Sequence, residues 1–340
     1  MNLTTLSPRD RLWLFIAFGA AVVAAMMLNT VIGSVPISLS ELWSIIGHGS
    51  DSANADILWK IRLPRVIAAV LGGAMLAVSG MLLQIFFRNP IVGPFVLGIS
   101  SGATLLVAMV MLSTLSLGFT GVSPHLNTLA ALIGAYGTMT IILLITANIK
   151  SGVTLLIIGL MMGYLNGAVT SILVAFAERE KVKQFVLWQF GSFSGLSWQE
   201  LFVLLGLGGL LLIGVYTLSK PLNAFLLGEE YALSMGVNIK LFRFLIVLVA
   251  CALAGLVTAA AGPVAFIGLA VPHMARLSLK TSDARLLIPG ALLLGAAITS
   301  LCDLVARQIF SPVEVPISAI TACFGAPIVI GLLLKRKTSL

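Results

Sequence analysis

Apolar stretches long enough to cross a bilayer recur along this chain with few charges inside them, and Leu12–Ile32, the first, contains no Asp, Glu, Lys or Arg. A helix of about 20 mostly apolar residues spans the hydrocarbon layer, whose interior offers backbone groups no partner. Only helices and closed barrels survive there, and runs this continuous fit helices rather than alternating barrel strands. Charged residues make up 9% of the chain, against roughly 25% in a soluble domain. A soluble core is excluded. Leu12–Ile32 is longer than a signal-peptide core and lacks a small-residue cleavage site, so it is expected to stay as the first span.

Apolar runs set against polar breaks predict an all-α integral membrane protein of ten helices near 12–32, 64–86, 95–117, 126–147, 153–175, 200–219, 241–260, 263–278, 286–307 and 317–334. Positive charge is retained on the cytoplasmic side. With an even number of spans and both termini cytoplasmic, Lys60, Arg62, Arg65, Arg179, Lys181, Lys183 and Arg307 fall outside and the other 13 of the 20 Lys and Arg residues fall inside. Polar excursions at 33–63 and 176–199 lie outside, and one at 220–240 lies inside. In the inner one, Pro221 cannot continue a helix interior, and the acidic first turn at Glu229 and Glu230 suits the positive end of a helix dipole. A short amphipathic segment from Glu229 to Val237, stopping at Gly236, would lie on the cytoplasmic surface.

Small residues run into a Pro-containing break and then a glycine twice. The first instance is Ala77–Gly98 with Asn89-Pro90, Gly93 and Gly98, and the second is Ala252–Leu269 with Gly262-Pro263 and Gly268. One transmembrane domain over 1–340, built as two inverted five-helix repeats near 1–199 and 200–340, fits this echo. The net charge of +8 is dispersed in short tracts between apolar runs, with no aromatic-interleaved patch for nucleic acid. Cys251, Cys302 and Cys323 sit in or beside apolar stretches with no metal-ligand spacing, as buried packing residues would. His48, His125 and His273 are too scattered for a metal site, and no metal is expected.

From Ile61-Arg62-Leu63-Pro64-Arg65, with Gly72-Gly73 and Ser79-Gly80, the chain resembles the FecCD family, permeases of siderophore, haem and cobalamin importers. The likeness continues through Phe87-Arg88-Asn89-Pro90, Leu97–Ala103, Phe190-Gly191-Ser192-Phe193 with Trp198, Leu227–Ala232 and Met235-Gly236-Val237. It ends with Gly262–Leu269, Pro272-His273, Asp303–Arg307, Glu314-Val315-Pro316-Ile317 and Gly325-Ala326-Pro327. The resemblance implies a multi-pass subunit of the bacterial inner (cytoplasmic) membrane that pairs with a second permease, here a second copy of the chain because all motifs lie in one sequence. Two ABC ATPase subunits would attach beneath, holding ATP and Mg, and a periplasmic substrate-binding protein would dock above. No Gly-rich loop ending in Gly-Lys-Ser or Gly-Lys-Thr occurs, so this chain is not the motor, no cofactor is expected on it, and it is not expected to be an enzyme.

By the same resemblance, Arg62, Arg65 and Arg307 pair with acidic residues of the binding protein, a task suited to permanently charged guanidinia. Glu229, Glu230, Tyr231, Met235 and Gly236 become the helix that couples to the ATPase. Asn89 and Ile91, with Gly152 and Val153, align with residues that narrow the cytoplasmic mouth. Gly152 and Val153 depart from the small hydroxyl residues of the cobalamin permease. Met161, Met162, Tyr164 and Asn166 lie on a helix that lines the pathway in this family, and methionines give a bulky cargo a soft wall. Asp303 stands four residues before Arg307 on one helix face, so the two are expected to pair.

The function expected is the permease of an ATP-driven importer that moves a metal chelate, ferric siderophore first, with haem or cobalamin as alternatives. A proton- or sodium-coupled carrier would share inverted repeats but needs more intramembrane acids than this chain carries. A membrane-embedded hydrolase would need a paired His and acid, or a Ser or Asp dyad, that the spans do not supply.

Overall fold

The computed structural model describes residues 6–33, 35, 37–48, 52–112, 124–146 and 152–337. Among them every regular element is a helix. The chain begins with α1 (Pro8–Val31), α2 (Leu39–His48) and α3 (Ala53–Ile57), the last running through a π turn (Leu58–Arg62) into α4 (Leu63–Phe86). It continues as α5 (Ile99–Leu112), α6 (Pro124–Thr146), α7 (Gly152–Phe176) and α8 (Arg179–Gln189). A second π turn (Leu204–Gly208) joins α9 (Trp198–Val203) to α10 (Gly209–Thr217). Then come α11 (Ser219–Leu227), α12 (Glu229–Ser234), α13 (Ile239–Ala261), α14 (Ile267–Leu279), α15 (Ala284–Gln308) and α16 (Ile317–Lys337).

Each apolar run singled out in the sequence overlaps these helices, but the run at 200–219 is divided among α9, the π turn and α10, and the run at 263–278 is helical only from Ile267. Among the described residues, 7 helical stretches are long and apolar enough to cross a membrane, and Ile99–Leu112 and Ile317–Gly331 are shorter apolar ones. The run at 95–117 begins its helix late, at Ile99, because Pro94 and Gly98, with φ +73°, stop the chain from coiling earlier; residues 113–117 lie outside those described. The polar excursions are not bare connectors either, since α2, α3 and α8 form within them. In the inner excursion, α11 contains Pro221 at its third position, inside the first turn, where a missing N–H costs little.

Helix α4 is the axis of the bundle. Nearly all of it is buried, and α13, α14 and α15 pack along it. Lipid is as apolar as leucine, so helices inside a membrane gain from close backbone approach across small residues rather than from exclusion of water. A Cβ added at Gly80 would sit 1.7 Å from the Gly268 carbonyl oxygen, and Cβ atoms at Gly73 and Gly295 would each lie within 2.4 Å of the other's carbonyl. The two Pro-containing breaks meet at this axis: Gly268 packs on both Leu76 and Pro94. The buried thiol of Cys251 and the buried thiol of Cys302 are free, as is the exposed one of Cys323.

Candidate functional site

One end of α4 gathers the three arginines singled out in the sequence. The π turn delivers Arg62 against the end of α1, where its guanidinium donates to the carbonyls of Thr30 (2.7 Å), Val31 (3.2 Å) and Val35. The Thr30 and Val31 carbonyls are among those that the end of α1 leaves without intrahelical partners. Arg65, one turn on, lies between two acids. It donates Nε–H to Asp303 Oδ2 and Nη2–H to Asp303 Oδ1, both at 3.0 Å, and Nη1–H to Glu314 Oε1 at 2.5 Å. Arg307 donates to the main-chain oxygen and Oδ1 of Asn29, at 2.8 and 3.1 Å. Asn29 in turn donates its amide to the carbonyl and hydroxyl oxygens of Ser300.

Two expectations are corrected by this geometry. Arg62 and Arg65 are only 4% and 5% exposed, so neither presents a free guanidinium outward. Asp303 pairs with Arg65 rather than with Arg307, because α4 lies directly against α15 and brings both Nε and Nη2 into line with one carboxylate. The network also contains residues the sequence did not single out for it. Asn29 is one, and a polar side chain inside an otherwise apolar span was its signal. Glu314 is the other. Its carboxyl is raised by burial, but the hydrogen bonds and charge of Arg65 outweigh that and hold it below the ordinary value. Ser192 adds a bond of 3.3 Å to the same carboxylate. Beside it the loop exposes Ile309, Phe310 and Val313.

The opposite end of α4 lies about 35 Å away at 1.5 Å per residue, and there the charges are set differently. Helix α12 turns Ala232 inward, fully buried, while Glu230, Tyr231, Leu233 and Met235 are exposed and Gly236 ends the segment with φ +80°. Glu229 points back at the bundle. Its Oε1 accepts from Arg243 Nη2 at 2.5 Å and lies 3.9 Å from Arg88 Nη2. Arg88 closes α4 with φ +48°, and its guanidinium stands 5.2 Å above the ring of Phe225 on α11. The next residue, Asn89, accepts the Ile91 N–H at 3.1 Å and folds the chain into a tight turn. Gly152 and Val153 open α7, and their side chains lie outside the described residues.

Along α7, Met161 and Tyr164 are exposed and Met162 is half-buried. Asn166 differs: it is 6% exposed, and its amide donates to Ser101 on α5 and Thr138 on α6, both at 3.2 Å. The expectation that Asn166 faces a pathway is therefore replaced by an interior tie among three helices. His48 and His125 have side chains outside the described residues. No cluster of three or more His, Cys, Asp or Glu residues that could hold a metal is present among the described ones.

A model of the FecCD transport family matches residues 21–335. The vitamin B12 import system permease protein BtuC of Klebsiella pneumoniae subsp. pneumoniae is 35% identical over 97% of this chain and 95% of its own length. That of Salmonella arizonae is 37% identical over 87% of this chain and 88% of its own. Among solved structures, a transporter described as of the metal-chelate ABC type, in an inward-facing conformation, superposes with a TM-score of 0.81 at 29% identity. The superposition covers 95% of this chain and 98% of that one. PsaBC from Streptococcus pneumoniae in complex with Fab, at 16% identity and a TM-score of 0.55, covering 78% of this chain and 88% of that one, shares the fold.

Proposed function

The chain belongs to the FecCD transport family, whose members are permease subunits of ABC importers with the ATPase in a separate subunit, and from that premise we propose that it carries a bulky metal chelate into a bacterial cytoplasm. The observation that carries this reading is α12. It is a six-residue helix outside every span-length helix, exposing Tyr231, Leu233 and Met235 at one end of the bundle, as a surface that seats in a partner would. In this proposal the chain crosses the inner membrane ten times with both termini inside, as two inverted five-helix repeats over 1–199 and 200–340. The left-handed residues that start α5 and α14, Gly98 and Phe266, support the repeat.

The second permease subunit is a second copy, seated on the exposed apolar face of α7, with Met161, Met162 and Tyr164 toward the shared pathway. Asn89, Ile91, Gly152 and Val153 narrow its inner mouth. Two ATPase subunits that bind ATP and Mg take up Glu230, Tyr231, Met235 and Gly236. The periplasmic binding protein docks at the Arg65 end, where Ile309, Phe310 and Val313 supply contact surface. Arg62 and Arg65 hold that surface in shape from behind, and Glu314 and Arg307 present the partly exposed charges of the network.

Ferric siderophore stays the first reading of the cargo only as the commonest cargo that the family resemblance implies. The relatives that import vitamin B12 favour a corrinoid as the second. The chain, reconstituted in lipid with its ATPase and binding protein, should hydrolyse ATP faster when the binding protein is loaded with one of ferric siderophore, haem or cobalamin. Stimulation by cobalamin alone would replace the first reading with the second. Uptake driven by an ion gradient without ATP would overturn both.

A further inference from the structure

The sequence places Glu229 with the residues that touch the ATPase, yet its side chain faces the other way. Helices α11 and α12 form a pair hinged at Gly228, whose φ of +136° is open only to glycine and whose missing Cβ would meet nothing within 4 Å. Helix α11 is fastened to the body of the bundle. Asn223 donates to Asp283 Oδ1 at 2.6 Å and accepts the Ala284 N–H at 2.7 Å, which locks it to the first turn of α15. Phe225 packs on Phe242 at 5.3 Å between ring centroids, which locks it to α13. Across the hinge, α12 exposes Glu230, Tyr231, Leu233 and Met235, while its first residue reaches back to a charge on α13 and to one just beyond the end of α4.

Those two charges have distinct positions. Arg243 lies in the first turns of α13, which runs the length of α4. Arg88 is the last residue before the Asn89–Ile91 turn, and it already rests on the Phe225 ring. A displacement of α12 about Gly228 therefore reaches the end of α4 and the start of α13 together, through one carboxylate.

We propose that Glu229 is a positioning residue that transmits α12 movement to the Asn89–Ile91 turn through Arg88 and to α13 through Arg243, and that it makes no contact with the ATPase. This inference rests on the importer reading above. An exposed ion pair of this kind contributes little to folding, so its disruption should separate movement from assembly.

The test uses the full complex in proteoliposomes and reads transport per ATP hydrolysed, together with the amount of ATPase subunit that co-purifies with each variant. In Glu229→Gln the ratio of transport to hydrolysis should fall at least about fivefold, the lower end of coupling between separated sites. The double variant Glu229→Arg with Arg243→Glu, which restores one of the two pairs in reversed sense, should recover part of that loss. Tyr231→Ala, on the exposed side, should instead reduce the ATPase subunit recovered. An unchanged ratio in Glu229→Gln would overturn the proposal. Loss of the ATPase subunit from Glu229→Gln would overturn it as well, by showing that Glu229 is a docking contact. Failure of the unsubstituted chain to recover any ATPase subunit would instead bring down the importer reading, and this proposal with it.

Discussion

The two ends of α4 hold their charges by opposite means. At the Arg65 end, a guanidinium with 6% of its side chain exposed is clamped by Asp303, 1% exposed, and capped by Glu314. At the Arg88 end, Glu229 and Arg243 are 38% and 49% exposed and meet at 2.5 Å beside a glycine hinge. Burial makes an ion pair rigid because breaking it strands a charge in a poor solvent, whereas water lets an exposed pair part and re-form cheaply. The contrast separates an end whose ion pair is fixed by burial from an end whose ion pair water leaves free to part.

The largest expected effect tests the rigid end. Arg65→Ala leaves Asp303 buried without a counter-charge and should destabilise the protein by about 3–5 kcal/mol, read by thermal or denaturant unfolding in detergent micelles. A loss below about 1 kcal/mol, the range of exposed pairs, would erase the contrast between the ends. A smaller effect concerns the cap on the same network. Because the Glu314 carboxyl is held below its ordinary value of 4.5 in the folded protein, its contribution is complete above 4.5 and is lost as pH falls through the lower folded value. The difference in melting temperature between the natural chain and Glu314→Gln should therefore hold constant above 4.5 and close below it. A gap that opens as the solution is acidified would reverse the sign of this assignment. The smallest effect belongs to the exposed end: Glu229→Gln should change stability by no more than about 1 kcal/mol, and added salt should shrink even that. A larger, salt-resistant loss would show that this pair is structural.

The spans were legible because lipid imposes one rule on every backbone group, and long uncharged runs such as Leu12–Ile32 can satisfy it only as helices. The short α5 was half legible: Pro94 and Gly98 mark the break, but the depth at which the chain resumes its helix depends on packing against Leu269 and α7. The pairing at the Arg65 end was not legible. Asp303 and Glu314 stand 238 and 249 residues from Arg65 in the chain, and local spacing offered Arg307 to Asp303 instead. The direction of Glu229 was hidden for the same reason, since the resemblance that assigns its motif to coupling does not say which side of the helix faces home. Asn166 shows the limit most simply. Its place on α7 is evident from the sequence, but whether it meets cargo, lipid or Ser101 is decided by how far α7 rotates about its own axis.

The contact between Gly80 and Gly268 also constrains how sequences like this one can diversify. Every other amino acid brings at least one carbon into a space where a Cβ would stand 1.7 Å from a carbonyl oxygen. Any change of codon at position 80 that alters the residue is thus a step in the same wrong direction, however small the new side chain. Helix α14 cannot retreat to make room, because α15 and α16 lie against it as well. Room for larger side chains lies only away from this contact, and the centre of α4 is confined to glycine where its backbone meets that of α14.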